Sequence, residues 1–281
     1  RTFRYVYWKR KRLCIWILAF INYMTQILIA LVVVANLVVT FTKAAASAAR
    51  INEIFDTKPS ITDDGNSEVK PVAGAAKISF RDVNFRYYEG AALALKNISM
   101  EIPAGSLIGV IGGTGSGKST LVSMIPRLYD VSSGSVLLDG TDVRNYPLTQ
   151  LHEKVGMVPQ GNQLFSGTVR ENLQWRKPNA SDTELWKALT DAQAESFVRS
   201  LPEGLDSKVE QGGKNFSGGQ QQRLTIARAL VGEPEILILD DCSSALDYAT
   251  DAALRKSLRR RAEHATVFMV NQRVSTVRGC D

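Results

Sequence analysis

The strongest constraint on the fold is a glycine-rich segment that directly follows an apolar stretch, GVIGGTGSGKST at residues 109–120. Glycines allow successive backbone N–H groups to curl around phosphate groups, and the N-terminus of a following helix adds partial positive charge. The segment has the spacing G-x-x-x-x-G-K-S, with Gly112, Gly117, Lys118 and Ser119 at the fixed positions. We therefore expect a strand, a phosphate-binding loop and a helix in succession, as in an α/β protein.

The side chains of this loop predict its chemistry. Lys118 is expected to reach the β- and γ-phosphates of a nucleotide, and the hydroxyl of Ser119 is expected to ligate Mg²⁺. The candidate contact residues are those of the loop and of the helix start that follows it: Gly112, Gly113, Thr114, Gly115, Ser116, Gly117, Lys118, Ser119 and Thr120.

A second element lies far downstream, where the apolar run ILIL at residues 236–239 ends in Asp240 and Asp241. A buried strand that ends in a carboxylate beside the phosphate loop would place Asp240 to hold Mg²⁺, directly or through water. Taken alone, this pattern is not specific, because many buried strands are followed by an acidic loop residue. Paired with the loop at 112–119, it indicates a nucleotide-binding protein of the phosphate-loop type.

A third element, NFSGGQQQRLTIARAL at residues 215–230, lies between the other two. Ser217, Gly218 and Gly219 precede a strongly helical stretch, which predicts a second helix N-terminus suited to an anion. One nucleotide needs only one phosphate cradle, so a second cradle favours a nucleotide held between two copies of the domain. The alternative is a plain turn with a helix cap.

The N-terminal part of the chain contains no charged residue between positions 13 and 41. As a helix, that run would be about 43 Å long, which is enough to cross a bilayer with some tilt. A buried core helix and a signal peptide are alternatives that the length of the run disfavours. Its polar residues share one face, which we expect to look into protein or a wet cavity rather than lipid: Asn22, Thr25, Gln26, Asn36 and Thr40.

Six of the first twelve residues are Lys or Arg, and they account for the whole net charge of +6. A basic segment directly before an apolar run is typical of a cytoplasmic membrane flank, so we expect no nucleic-acid partner. The nucleotide-binding region must also be cytoplasmic, and a single span cannot place both flanks on one side. Either the basic segment is an exception or an odd number of spans is missing; we favour a fragment or an internally deleted protein.

Metal and disulfide chemistry of other kinds is not expected from the composition. The three cysteines, Cys14, Cys242 and Cys280, have no zinc or disulfide spacing, which fits a reducing compartment. His152 and His264 are the two histidines, too few for a histidine metal site.

Composition divides the chain into four predicted segments. Residues 1–12 form the basic flank, 13–55 a transmembrane helix with a cytoplasmic extension, 56–76 a polar linker, and 77–281 the nucleotide-binding domain. Within that domain, residues 78–87 alternate apolar and polar positions as a half-buried strand, and 107–113 read as a buried strand.

Together these motifs resemble the ATP-binding cassette exporters, from about residue 13 to the C-terminus. The resemblance implies a RecA-like α/β core with a helical subdomain at about 161–231, an antiparallel β subdomain and a preceding last membrane helix. It implies ATP and Mg²⁺ as cofactors. Because the chain ends soon after Gln272, before elements that the family usually has, the resemblance also indicates truncation.

Further positions match motifs of that family. Gln160 in MVPQ resembles the glutamine that meets Mg²⁺ and couples to the membrane domain, and Asp247 in SALD resembles the D-loop aspartate. Tyr87 stands where the family stacks an aromatic ring on adenine, with Tyr88 as an adjacent candidate. The signature segment, usually LSGGQ, faces the ATP of the partner domain and here consists of Phe216, Ser217, Gly218, Gly219 and Gln220.

Two departures from the family pattern bear on catalysis. Asp241 replaces the glutamate that activates the attacking water, and a side chain shorter by one methylene withdraws the carboxylate by about 1 Å. Gln272 replaces a histidine beside the γ-phosphate and cannot become cationic. Together they resemble the degenerate subunit of heterodimeric exporters, which binds ATP at its own site and hydrolyses it slowly.

The resemblance implies an ATP-hydrolysing exporter subunit of the cell membrane, with its ATP-binding domain in the cytoplasm. We expect a second exporter subunit as partner, with a heterodimer favoured over a homodimer. Two alternatives stay open: a remnant that binds ATP without transporting, and a soluble cassette protein that remodels ribosomes or DNA. The transported substrate cannot be identified from these residues, since most cavity residues would come from other spans.

Overall fold

A computed structural model describes residues 2–63, 68–242, 245–272 and 280, with side chains described from Cys14 onward. The chain divides into two compact units, residues 1–60 and 61–281. The side chains of the basic flank and residues 273–279, which follow Gln272, therefore lie outside the described part.

The first unit is one continuous helix, α1 (Thr2–Asp56), with 55 residues. Its apolar part has a mean hydropathy of 2.3, and by length and composition it can cross a membrane. The hydroxyls of Thr25 and Thr40 donate to the carbonyls of Ile21 and Asn36, each at 2.8 Å, so these two polar groups are satisfied within the helix.

The second unit is an α/β fold in which strands and helices alternate along the chain. In chain order, its strands and helices are β1 (Ile78–Phe85), β2 (Leu95–Ile102), β3 (Leu107–Ile111), α2 (Lys118–Ser123), β4 (Ser133–Leu138), β5 (Thr141–Asp142), α3 (Leu148–Lys154), β6 (Val155–Val158), β7 (Gly167–Thr168), α4 (Val169–Gln174), α5 (Asp182–Asp191), α6 (Glu195–Arg199), β8 (Lys208–Val209), α7 (Gly218–Leu230), β9 (Ile236–Asp240), α8 (Tyr248–Ala262) and β10 (Thr266–Asn271).

The centre of this unit is a parallel sheet in the order β3-β10-β9-β6. Every residue of β9 and β10 is buried, because helices cover both faces of such a sheet, and most of these side chains are apolar. This explains why β9 was predictable as a continuous apolar run.

An antiparallel sheet in the order β2-β1-β4-β5 packs through one face into the core. The alternation predicted for β1 is interrupted, because Ile78, Ser79 and Phe80 are all buried. The register slips between Phe80 and Val83, and Asp82 between them has a φ of 48°. A β-bulge therefore shifts the phase of the strand, which sequence periodicity does not reveal.

Helices α4 to α7 form a layer whose apolar side chains share one core with the parallel sheet and α8. Helices α4, α5 and α7 each begin with a capping box, in which a Ser or Thr hydroxyl accepts from the third residue and a Glu or Gln reaches back. The predicted fold class is confirmed: a phosphate-loop α/β domain with helical and antiparallel parts follows an apolar helix.

Candidate nucleotide-binding site

The predicted site residues leave the parallel sheet at its carboxyl edge. Ile111 pairs with Asn271, Val270 with Asp240, and Leu239 with Val158. The chain segments that follow these strands therefore emerge side by side, where open α/β sheets bind ligands. The predicted residues that lie just beyond or at these strand ends are Gly112, Gln160, Asp240, Asp241 and Gln272.

In the loop after β3, two of the glycines, Gly112 and Gly117, leave no room for a Cβ atom unless neighbouring atoms move. Gly117 has a φ of 86°, and a Cβ there would lie 2.8 Å from the carbonyl oxygen of Ala94. A Cβ on Gly112 would lie 2.6 Å from the Ser116 hydroxyl. A Cβ on Gly113 or Gly115, by contrast, would meet no atom within 4 Å. The loop is thus tightly supported on one side and open on the other, as a backbone cradle for phosphate requires.

Lys118, the first residue of α2, folds back over the loop. Its ammonium donates to the carbonyl of Gly113 at 2.7 Å and to the hydroxyl of Ser116 at 3.4 Å. The positive charge is therefore held against the loop, where phosphate oxygens would be attracted to it.

Ser119 and Asp240 form an oxygen pair beside the loop, since the Ser119 side chain lies close enough to the Asp240 carboxylate to favour its charged form. Burial raises the pKa of Asp240, the Ser119 side chain and nearby Lys118 oppose that rise, and the charge of Asp241 adds to it. A hydroxyl and a carboxylate are the hard oxygen ligands that Mg²⁺ prefers, with phosphate and water completing its shell. Among the described residues, no group of three or more His, Cys, Asp or Glu side chains is arranged to hold a metal ion.

Asp241 and Gln272, the two positions expected to bear on catalysis, directly follow the neighbouring strands β9 and β10. Asp241 has a φ of 49°, a left-handed conformation that Asp tolerates better than most residues, and its N–H donates to the carbonyl of Val270 at 2.9 Å. Gln272 follows β10 directly and is exposed. Gln160 is exposed two residues after β6, next to β9. All three thus surround the end of β9.

Tyr87, rather than Tyr88, is the tyrosine connected to the phosphate loop. Its hydroxyl lies 2.6 Å from that of Thr120, and its ring packs edge-on against Phe85 at 4.9 Å and Tyr129 at 5.4 Å. Tyr88 is 73% exposed. Sequence reasoning missed Tyr129, for which a lone aromatic after α2 gives no recognisable signal.

The signature segment begins α7 in the helical layer. Ser217 caps the helix: its hydroxyl accepts from the N–H of Gln220, whose side-chain oxygen accepts from the N–H of Ser217 at 2.9 Å. Phe216 is buried against Phe197, with ring centroids 6.3 Å apart. Ser217 and Gly218 remain exposed at the helix start.

Asp247 caps α8 by accepting from both the N–H and the hydroxyl of Thr250, at 2.9 and 2.7 Å. The hydrogen bond from the Thr250 N–H, followed by that from its hydroxyl, lowers the pKa of Asp247. The D-loop motif is described from Ala245 onward, while its serine at position 244 lies outside the described residues.

Comparison with known proteins finds the chain similar to members of one family. A sequence model of the ABC transporter family matches residues 95–244. An uncharacterised ABC transporter ATP-binding protein of Mycobacterium tuberculosis is 40% identical over 94% of this chain and 46% of its own length. A putative multidrug export ATP-binding/permease protein of Bacillus subtilis is 37% identical over 94% of this chain and 45% of its own length.

Among solved structures, a bacterial Atm1-family ABC exporter with ATP bound matches with a TM-score of 0.78 and 32% identity. That match covers 85% of this chain and 42% of the exporter chain. The chain thus spans less than half the length of each of these similar proteins.

Proposed function

This chain belongs to the ABC transporter family, and from that premise we propose that it is the ATP-binding subunit of a membrane exporter. ATP and Mg²⁺ are its proposed ligands. The observation that carries the proposal is the Ser119–Asp240 oxygen pair beside the open phosphate loop, with the Lys118 ammonium held over that loop. When bound, Mg²⁺ neutralises charge on the β- and γ-phosphates.

We further propose that the chain's own site binds ATP and turns it over slowly. In this proposal Asp241 takes the role of orienting a water, but its carboxylate falls about 1 Å short of the reach of a glutamate, and such displacements reduce general-base catalysis. Gln272 can donate a hydrogen bond without supplying positive charge. The loop, Ser119 and Asp240 hold the nucleotide, while the groups that would move the proton are weakened.

The proposed partner is a second exporter subunit in the cell membrane, with a heterodimer favoured. Support comes from the intact segment 216–220, whose exposed helix start can face a partner's phosphate loop, and from α1, which is long and apolar enough to span a bilayer. In this arrangement the chain completes an active ATP site on its partner. The partner should carry Glu and His where this chain has Asp241 and Gln272, together with an altered signature segment.

The experiment measures binding and turnover on the same preparation of the full chain in detergent. We expect a fluorescent ATP analogue to bind in the presence of Mg²⁺ and Lys118→Ala to remove binding, while phosphate release stays close to background. Absence of Mg²⁺-dependent binding in the unaltered chain contradicts the proposed ATP site. Rapid turnover that Asp241→Asn abolishes contradicts only the slow-site proposal.

A further inference from the structure

Gln222 is a buried polar side chain that the proposed function does not use. It lies one turn into α7 and is 1% exposed, in a helix whose buried face is otherwise mostly apolar. A buried amide without hydrogen-bond partners destabilises the folded protein, so the partners of Gln222 should explain why a polar residue occupies this position.

Its contacts lead out of the helix to the segment after β9. The side-chain oxygen of Gln222 accepts a hydrogen bond from the backbone N–H of Ala245 at 3.3 Å. The same side chain also lies near the thiol of the buried Cys242. Ala245 belongs to the D-loop motif, and Cys242 follows Asp241 directly. One side chain therefore bridges the signature helix and the loop that leaves the candidate ATP site.

The first turn of α7 packs against the same segment. Gly218 and Gly219 precede Gln222 by four and three residues, so all three lie on one face of the helix. A Cβ on Gly219 would come within 3.0 Å of the carbonyl oxygen of Ala245, and one on Gly218 within 3.8 Å of its Cβ. Close backbone contact at Gly219 and the hydrogen bond at Gln222 together leave the two segments little freedom to move separately.

The junction also reaches the strands of the site. The sulfur of Cys242 lies 3.5 Å from the carbonyl oxygen of Asp240 and 3.7 Å from that of Val158. Asp240 ends β9, and Val158 ends β6 two residues before Gln160. Cys242 and Ala245 therefore connect the strand ends of the candidate site to the Gln222 side chain.

We propose that Gln222 is a positioning residue that couples the chain's own ATP site to the signature segment 216–220. The inference rests on the proposed function, because it requires ATP at the phosphate loop and a signature segment that serves a partner. The state of one ATP site is then transmitted to the surface that completes the other. Coupling of this kind is reciprocal, so an occupied signature segment also alters ATP affinity at the chain's own loop.

Hydrogen–deuterium exchange of the full chain tests the proposal, with and without ATP and Mg²⁺, in detergent and diluted to monomers as judged by light scattering. In the unaltered chain we expect slower exchange in peptides that cover 112–120 and in those that cover 216–222. Gln222→Met should keep the response at 112–120 while the response at 216–222 falls about fivefold, the order expected for loss of a buried hydrogen bond.

Thr225→Val is the matched control, because Thr225 is equally buried in α7 and its hydroxyl bonds within the helix to the carbonyl of Gln221. This variant should keep both responses. If Gln222→Met does not fold, Gln222→Asn, which withdraws the amide by one methylene, should also uncouple the two responses.

Three results overturn the coupling: no response at 216–222 in the unaltered chain, an unchanged response there in the folded Gln222 variant, or an equal loss in Thr225→Val. Failure of the proposed function would give a different result. In that case peptides 112–120 of the unaltered chain do not respond to ATP, and the coupling falls with the ATP site itself.

Discussion

The hydroxyl of Tyr87 lies 2.6 Å from the hydroxyl of Thr120, which ties an aromatic ring to the start of the helix after the phosphate loop. Phe85 and Tyr129 pack edge-on against the same ring. Its orientation is thus held from several directions, while 55% of the residue stays exposed. A ring fixed in this way loses little conformational entropy when a flat base stacks on it.

Replacement of Tyr87 should therefore weaken ATP binding through the base rather than through the phosphates. Stacking of a base on an aromatic side chain contributes about 1–3 kcal/mol, so Tyr87→Ala should raise the Kd for ATP about 10- to 100-fold. Tyr87→Phe keeps the ring and loses only the Thr120 hydrogen bond, so its effect should be a few-fold. Calorimetric titration checks this, with Tyr88→Ala as the control; a larger effect of Tyr88→Ala would assign the base to that ring instead.

Gly117 should be far less replaceable than Gly113, although both belong to the same loop. Gly117→Ala combines a left-handed backbone with a Cβ 2.8 Å from the carbonyl oxygen of Ala94, whereas a Cβ on Gly113 meets nothing within 4 Å. The left-handed conformation alone costs an L-residue about 1–2 kcal/mol. We expect Gly117→Ala to lower Tm and abolish ATP binding and Gly113→Ala to change either only slightly. Equal effects of the two would contradict the described loop.

Hydrolysis should be recoverable at the chain's own site. Asp241→Glu combined with Gln272→His returns the longer carboxylate and a group that can carry positive charge. Because general acid–base groups contribute about 10²–10⁴-fold, phosphate release should rise by at least about tenfold. Asp241→Asn with Gln272→His is the control that lacks a base. A turnover on the order of 1 s⁻¹ in the unaltered chain would contradict the premise that the site is slow.

Acid should destabilise the second unit partly through Glu235. This carboxylate forms ion pairs with Lys77 and with Lys154 (2.7 Å), and both lysines also pair with Asp139. Burial alone would raise the pKa of Glu235, but the hydrogen bonds from Lys154 and Lys77 bring it below its ordinary value of 4.5. A pKa lowered by folding stabilises the protein above the ordinary value, and that contribution is lost as the pH falls through the folded value.

Glu235→Gln should accordingly lower Tm at pH 7, and the difference from the unaltered chain should shrink below about pH 4.5. Since the Glu235 side chain is 47% exposed and screened by solvent, we expect a loss of about 1 kcal/mol, or a few degrees in Tm. Glu233→Gln is the control, because Glu233 pairs with Lys187 at the surface. A difference that stays constant from pH 7 to pH 4 would show that Glu235 acts by packing.

The parts of the site that sequence reasoning located are those encoded within a few consecutive residues. The loop at 112–119 follows its strand directly, β9 is one uninterrupted apolar run, and Ser217 lies three residues before its capping partner Gln220. Tyr87 is likewise close in sequence to Phe85, against which its ring packs.

The parts that sequence reasoning did not locate depend on contacts between distant segments. Gln222 and Ala245 are separated by 23 positions, and nothing in the helical pattern around Gln222 marks it as a bridge. The left-handed backbone of Asp241 and the bulge at Asp82 are likewise set by neighbouring strands. Local propensity cannot report such features, since tertiary packing decides them.

The hydrogen bond from the N–H of Asp241 to the carbonyl of Val270 also bears on how such a site evolves. Gln272 stands only two residues beyond Val270, so the two departures from the family pattern lie in one connected piece of backbone. We therefore expect their effects to be epistatic: the benefit of regaining Glu at 241 depends on whether His is already present at 272. A lineage returning to rapid hydrolysis would have to pass through a single substitution that yields little by itself.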